Sequence, residues 1–339
     1  MSAVVDEVSR PQKPGFGFFA RPATRSLVGG LAAATAWFVA AALTAFWPDK
    51  IESDWAYTGS LAAACGALAA VALALAAFAG VRFTVFQRLQ RLSPWLFVLA
   101  LFLATWEAVT AKLGLLPLPF FPPPQAIVEV VIDDWRRLAA GIFASARLLA
   151  TGYFLGAAVG FVTGVAIGWS RLAGYWIHPV LRFIGPLPAT AWLPLAFFVF
   201  PSSFTASIFL IALATGFPVT VLTWSGVAGV NSAYYDIART LGATQRFLVL
   251  KVAIPAAMPH VFVGLFMGLG NSFAVLVVAE MLGVKAGLGW YLQWAQGWAA
   301  YANMYAALLL MAFLCSGLIT LLFRLRDRLL SWQKGLVRW

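Results

Sequence analysis

The stretch 236–259, DIARTLGATQRFLVLKVAIPAAMP, is a polar and basic interlude between two long apolar runs, 203–225 and 259–281. Each flanking run is longer than the roughly 18 residues at which a helix becomes able to cross about 30 Å of hydrocarbon. Working outward, runs of the same kind lie near 26–47, 57–79, 95–116, 148–169, 178–200 and 303–323, eight in all. Strict alternation with short turns, which a membrane barrel requires, is absent. With 62% hydrophobic and 10% charged residues and a mean hydropathy of +0.88, the 339-residue chain lacks the ionised surface of a soluble domain. The expected class is an all-α integral membrane protein.

The net charge of +11 invites a nucleic-acid reading, but position decides against it. If the N-terminus is cytoplasmic, 17 of the 23 basic residues fall in inside segments, among them Arg82, Arg88, Arg91, Arg171, Arg182, Arg239, Arg246 and Lys251. Only Lys50, Lys112, Arg136, Arg137, Arg147 and Lys285 fall outside. That split follows the positive-inside rule, so topology explains the charge and no polyanion is needed. Both termini and the 236–259 stretch then face the cytoplasm. The run from Ser26 to Trp47 is too long for the apolar core of a cleaved signal. Cys65 and Cys315 fall inside expected spans without motif spacing, and His178 and His260 have no acid or thiol partner at ligand spacing, so no metal is expected.

Four parts follow along the chain. Residues 1–25 are a polar, proline- and glycine-bearing cytoplasmic tail; 26–94 hold two alanine-rich spans and a basic linker; 95–325 hold the six remaining spans; 326–339 are a basic cytoplasmic tail. Within the third part, Pro117, Pro119 and Pro122 to Pro124 exclude a continued spanning helix and set an external elbow. A short interfacial helix should follow over AIVEVVIDDWRRL, with Asp133, Asp134, Arg136 and Arg137 on a polar face, either solvated or docking an external partner. The fourth span carries Gly152, Gly156, Gly160, Gly164 and Gly168, a ridge spaced by four that invites close helix packing or a pivot. Gly185, Pro186, Pro188 and Pro194 interrupt the fifth span around Ala189 to Trp192. A helix broken at membrane depth is tolerated where protein or a water-filled cavity satisfies the freed carbonyls, which marks a pathway candidate or a packing kink.

Taken in order, several segments resemble one family. They are Trp106-Glu107, the elbow FPPPQAIVEV, 144–169, the His178-Pro179 segment through Arg182 to Pro188, Trp192 to Leu195, the Asp236 stretch, Ala279-Glu280-Met281 and Gly287-Leu288-Gly289. The series is similar to the permease subunits of bacterial binding-protein-dependent ABC importers of the nitrate, sulfonate, taurine and bicarbonate type. Asp236, Ile237, Ala238, Gly242 and 252–255 resemble the family's acid-Ala-Ala, Gly, apolar-x-apolar-Pro signature, with Asp in place of Glu and Ile in place of the first Ala. The resemblance implies a six-helix type I permease core, to which two N-terminal helices are added.

It also implies that the loop 231–258 forms a short helix seated in a groove of a separate ATPase. Asp236 would stand near the start of that helix, with Ala238, Arg239 and Arg246 in the contact, Gly242 turning the chain and Pro255 starting the return into the membrane. No G-x-x-x-x-G-K-[ST] loop occurs in the chain, so it is not expected to be an enzyme or to hold a cofactor; ATP and Mg would be bound by the partner. The implied partners are an ATPase dimer, a periplasmic solute-binding protein, a second copy of the permease as a homodimer, and the inner-membrane bilayer. Candidate pathway residues are Glu107, Thr190, Trp192, Asn271, Ser272 and Glu280. A charge at mid-membrane is costly enough to face a cavity or a partner, and Glu280, near a helix end, has water or a backbone amide as its alternative. The expected cargo is a small oxyanion. A heterocyclic nutrient such as a thiamine precursor or riboflavin is the alternative, and a channel or membrane-bound enzyme is the alternative outside this class.

Overall fold

The computed structural model describes residues 22–50, 55–77 and 92–333. Most of the tail expected at 1–25 and the basic linker with Arg82, Arg88 and Arg91 lie outside these residues, as do 334–339 of the tail expected at 326–339, whose residues 326–329 continue the last helix. Every regular element among the described residues is helical. Seven helices are long and apolar enough to cross a membrane, and a bent pair makes an eighth. The chain is an all-α, multi-pass membrane protein.

Two compact units partition it. The first comprises 1–118 with 123–125, and the second 119–122 with 126–339. In the first unit, α1 (Pro22–Phe46), α2 (Thr58–Ala77) and α3 (Ser93–Lys112) pack through small side chains. Ala33, Ala34, Ala40, Ala69, Ala72 and Ala76 are buried, and a Cβ on Gly30 would meet that of Ala76 at 2.8 Å. The last turn of α3, Ala108–Lys112, widens into a π-helix. The third span packs against α1 and falls in the same compact unit as the N-terminal pair. Buried polar groups reinforce that pairing: Glu107 accepts from Thr44 Oγ1 at 2.6 Å and from Gln125 Nε2 at 2.5 Å, while Lys112 lies 2.9 Å from Asp49 and 3.6 Å from Glu107.

After the proline elbow come α4 (Pro124–Asp133), which belongs to the second unit from Ala126 onward, and α5 (Trp135–Trp169). The boundary between them differs from the sequence expectation. Asp134, at φ −95° and ψ 15°, breaks the helix, so Arg136 and Arg137 belong to the first turn of α5 and the short helix is only 10 residues long. At 35 residues, α5 extends well beyond a minimal span. It packs along α8 (Ser203–Ala228), which packs in turn on α10 (Gln245–Leu282).

The glycine ridge is the seam between α5 and α8. A Cβ on Gly152, Gly164 or Gly168 would stand 2.6, 2.6 or 2.7 Å from Ile211, Thr223 or Val227 Cβ, and one on Gly156 would strike the backbone of Ala212. Only glycine allows backbones to approach so closely, and in lipid such approach rather than apolar burial holds helices together. Gly264 and Gly268 give α10 the same access to α8 beside Val219 and Thr215. Hydrogen bonds add register: Thr163 and Thr220 hydroxyls lie 3.0 Å apart, and Tyr153 donates to the Leu265 carbonyl at 2.9 Å.

The span expected at 178–200 is broken. Helix α6 (Arg171–Ile184) ends at Gly185, and a 3-10 turn (Ala189–Trp192) leads into α7 (Leu193–Val199). The two halves meet at 86°. Proline accounts for this: Pro186 and Pro188 supply no N–H to extend α6, and Pro194 sits at the start of α7, where its missing donor costs nothing. After α10 come α11 (Leu288–Gly297) and α12 (Tyr301–Leu329).

Candidate functional site: an exposed helix and a broken span

Between α8 and α10 stands α9 (Ser232–Thr240). Its start is fixed by Asn231, whose side chain accepts from Ala233 N at 2.9 Å. Asp236 therefore lies in the middle of the helix and not near its start, which corrects the sequence expectation. The Asn231-Ser232 pair is the better cap, so Asp236 is out of reach of the first-turn N–H groups. Instead it pairs with Arg239 at 3.4 Å, both side chains being exposed. The helix ends as Gly242 N bonds the Arg239 carbonyl at 2.9 Å and Ala243 N bonds that of Ala238 at 3.0 Å. Gly242 has φ +81°, the left-handed conformation that favours glycine at this position.

One side of α9 is anchored and the other projects. Tyr235 stacks edge-on against Trp169 at 5.7 Å, beside Val227, Ala253 and Ala257. Burial there pushes the Tyr235 phenol pKa up. Tyr234, Ile237 and Leu241, spaced by three and four, are 61, 60 and 83% exposed. An apolar ridge this open on a nine-residue helix, flanked by Asp236, Arg239 and Arg246, has the make-up of a protein contact surface. Pro255 is half-buried in the first turn of the α-helical part of α10, Ile254–Leu282, the position expected of it at the return into the membrane. The π-helical stretch Leu248–Ala253 immediately before it adds the residue that lets the helix pass a position without an N–H.

Thr190 and Asn271 come together. Both line a cavity of about 360 Å³ walled by the chain around the break on either side of Pro186, by Leu213, Ala214, Phe217 and Pro218 on α8, and by Asn271, Ala274 and Val275 on α10. Pro218 withholds the N–H that the Ala214 carbonyl would accept within α8, so a backbone acceptor is freed in the same wall. The break in the fifth span thus borders a cavity, as freed carbonyls at membrane depth require.

The other pathway candidates lie elsewhere. Ser272 is fully buried and donates to the Leu269 carbonyl at 2.9 Å, on a different face of α10 from Asn271. Trp192 packs against the apolar cluster around Leu193, Ala196 and Leu210, and its buried Nε1 has no hydrogen-bond partner among the described residues. Glu107 is enclosed in the first unit by Thr44, Gln125 and Lys112 and does not line this cavity. Its hydrogen-bond partners Gln125 and Thr44 are 18 and 63 residues away, which no local pattern reveals.

Glu280 is buried and tied: Oε2 accepts from Ser145 Oγ at 2.9 Å and from Gly289 N at 2.8 Å, while Ser145 Oγ accepts from Leu288 N at 2.9 Å. The carboxylate therefore caps the N-terminus of α11, the backbone-amide alternative of the two its sequence left open. Gly287, at φ +105°, is needed there because a Cβ would run into that carboxylate. Ser145 escaped sequence reasoning because serine in a long helix carries no signal without its partner.

With the geometry in place, comparison with known proteins assigns the family. Residues 152–334 match the model of the binding-protein-dependent transport system inner membrane component. The chain belongs to this family. It is 30% identical to the nitrate import permease protein NrtB of Synechococcus elongatus over 74% of this chain and 91% of that one. The putative aliphatic sulfonates transport permease protein SsuC of Bacillus subtilis is 28% identical over 70% of this chain and 86% of its own length. The bicarbonate transport system permease protein CmpB of Synechococcus elongatus is 30% identical over 61% and 72%. The permease is thus a multi-pass inner-membrane subunit of an ABC importer and not an enzyme, ATP hydrolysis residing in a separate subunit.

Proposed function

We propose that this permease forms the translocation pathway of an importer for a small oxyanion of the nitrate, sulfonate or bicarbonate kind. Two copies pair, an ATPase dimer binds ATP and Mg and seats on α9 from the cytoplasm, and a periplasmic binding protein delivers the solute. Both termini are cytoplasmic in this reading. The observation that carries it is α9 itself, a short helix locked at one side by Tyr235 on Trp169 and presenting Tyr234, Ile237 and Leu241 outward. A channel has no use for such a surface. Support for the cargo class comes from relatives named for nitrate, aliphatic sulfonates and bicarbonate.

Movement of α9 on ATP binding would reach the broken span through the helices it joins, α8 and α10, both of which wall the Thr190 and Asn271 cavity. The solute would see each side alternately as that cavity opens. The test is uptake of labelled nitrate, an alkanesulfonate and bicarbonate by cells with and without the permease, at fixed levels of its ATPase. Loss of uptake of one of the three on deletion, restored by the intact gene, is expected. Unchanged uptake of all three, with loss of a neutral heterocycle instead, would overturn the oxyanion assignment.

A further inference from the structure

The cavity at Thr190 and Asn271 has a neighbour. A second cavity of about 890 Å³ is lined by Gly174, Tyr175, His178 and Arg182 on α6, then Gly185 and Pro186, and by Phe217, Val221 and Trp224 on α8. The two share Gly185 and Phe217 as common wall. There the Phe217 ring lies directly on Gly185, since a Cβ on that glycine would stand 2.6 Å from Phe217 Cζ.

Arg182 is the unexpected member. Its place in the sequence suggested a cation at the cytoplasmic membrane edge. In the structure it stands in the last turn of α6, immediately before the break, about 16 Å along the helix from Arg171 at 1.5 Å per residue. It forms no ion pair with any described residue. Arg182 is exposed, lines this cavity at the break and has no ion-pair partner among the described residues, and an arginine so placed in a membrane protein marks an ion pathway more often than a structural contact. His178, one turn earlier on the same face, is held edge-on against Trp224 at 4.3 Å and packs over Gly174. Pro179 removes the N–H that the Tyr175 carbonyl would accept, so Tyr175 brings a freed backbone acceptor to the same wall, a second sign that it is built for polar cargo. A planar guanidinium with several N–H donors suits a small oxyanion that accepts two hydrogen bonds side by side.

We propose that the two cavities are one anion path in which Arg182, with His178 beside it, holds a small oxyanion at the break, and the Phe217 ring on Gly185 is the barrier to Thr190 and Asn271. This rests on the importer reading and adds to it the group that selects charge. The other pathway residues are uncharged, so without Arg182 the path has no preference for anions. Phe217 belongs to α8, the helix that leads into α9, so the barrier and the ATPase contact share one helix.

The experiment uses the permease with its ATPase, with Cys65 and Cys315 replaced by alanine and Thr190→Cys introduced. Rates of labelling by anionic sulfonatoethyl and cationic trimethylammonioethyl methanethiosulfonate are compared with their rates on free cysteine. A preference for the anionic reagent is expected, with Arg182→Gln lowering the anionic-to-cationic ratio about fourfold, taking a water-like dielectric and roughly 10 Å between charge and thiol. Arg182→Lys should retain the ratio, and nitrate should slow labelling in the parent but not in Arg182→Gln. An unchanged ratio in Arg182→Gln, or a parent with no anionic preference, would overturn the proposal. The importer reading is scored separately: if the parent complex shows no ATP-driven uptake, that reading fails whatever the labelling ratio.

Discussion

Gly156→Ala adds one methyl group to the tightest point of the α5 and α8 seam. The new Cβ would lie 2.8 Å from Ala212 Cα and 2.9 Å from its carbonyl carbon, where ordinary contact begins near 3.4 Å. The Ala212 carbonyl oxygen stands closer still, and as all three are backbone atoms no rotamer change relieves them, so the helices must part by at least about 0.6 Å, the difference between 3.4 and 2.8 Å. A gap of that size forfeits roughly a quarter to a half of each dispersion contact it opens. The loss spreads to Gly152, Gly160 and Gly164, which depend on the same approach. Overpacking of this kind costs about 1–3 kcal/mol. Gly270→Ala on α10 is the control, because nothing lies within 4 Å of the Cβ it would add, and its effect should stay within about 0.5 kcal/mol. Tryptophan-fluorescence unfolding in mixed micelles, run on both variants, reads the difference. Equal stability of Gly156→Ala and Gly270→Ala would refute a seam held by backbone approach.

Glu280→Ala leaves the Ser145 hydroxyl and the Gly289 N–H buried without an acceptor, and thermal unfolding should show a loss of about 2–3 kcal/mol. Gly287→Ala places a Cβ into the same carboxylate at a positive φ, so its cost, about 1–3 kcal/mol, should combine non-additively with that of Glu280→Ala in a double-variant cycle. Lys112→Met strips the one cation that pairs with Glu107 and Asp49 among the described residues and should lower stability by about 3–5 kcal/mol, whereas an effect below about 1 kcal/mol would deny the cluster a role in fastening α1 to α3. Gly242→Ala meets no neighbour and bears only left-handed strain of about 1–2 kcal/mol, so its main expected effect is weaker stimulation of the partner ATPase, measured at matched permease levels.

The features legible in the sequence are those with a local period or a local breaker. Five glycines spaced by four offered close packing or a pivot and the structure shows the packing, while Gly185, Pro186 and Pro188 could not extend a helix, so the seam and the break both stand where those residues put them. Gly242 was readable for the same reason. What failed depended on distant partners or on a competing local signal. Asn231 took the cap that Asp236 was expected to serve. Glu107 found Thr44 and Gln125, and the third span accordingly sided with the two N-terminal helices. Arg182 was counted with the cytoplasmic charges, and charge counting could not show that it closes α6 immediately before the break after Ile184 and lines a cavity there.

The central claim, that α9 is where an ATPase drives this permease, is tested most directly by co-purification. The permease is isolated from its native membranes with an ATP hydrolysis assay, wild type beside a double variant carrying Asp236→Lys and Gly242→Trp, both checked for equal abundance and monodispersity. Hydrolysis activity retained by the wild type and lost from the double variant is the expected result. Activity retained equally by both, or absent from both, would contradict the assignment of α9 as the coupling surface.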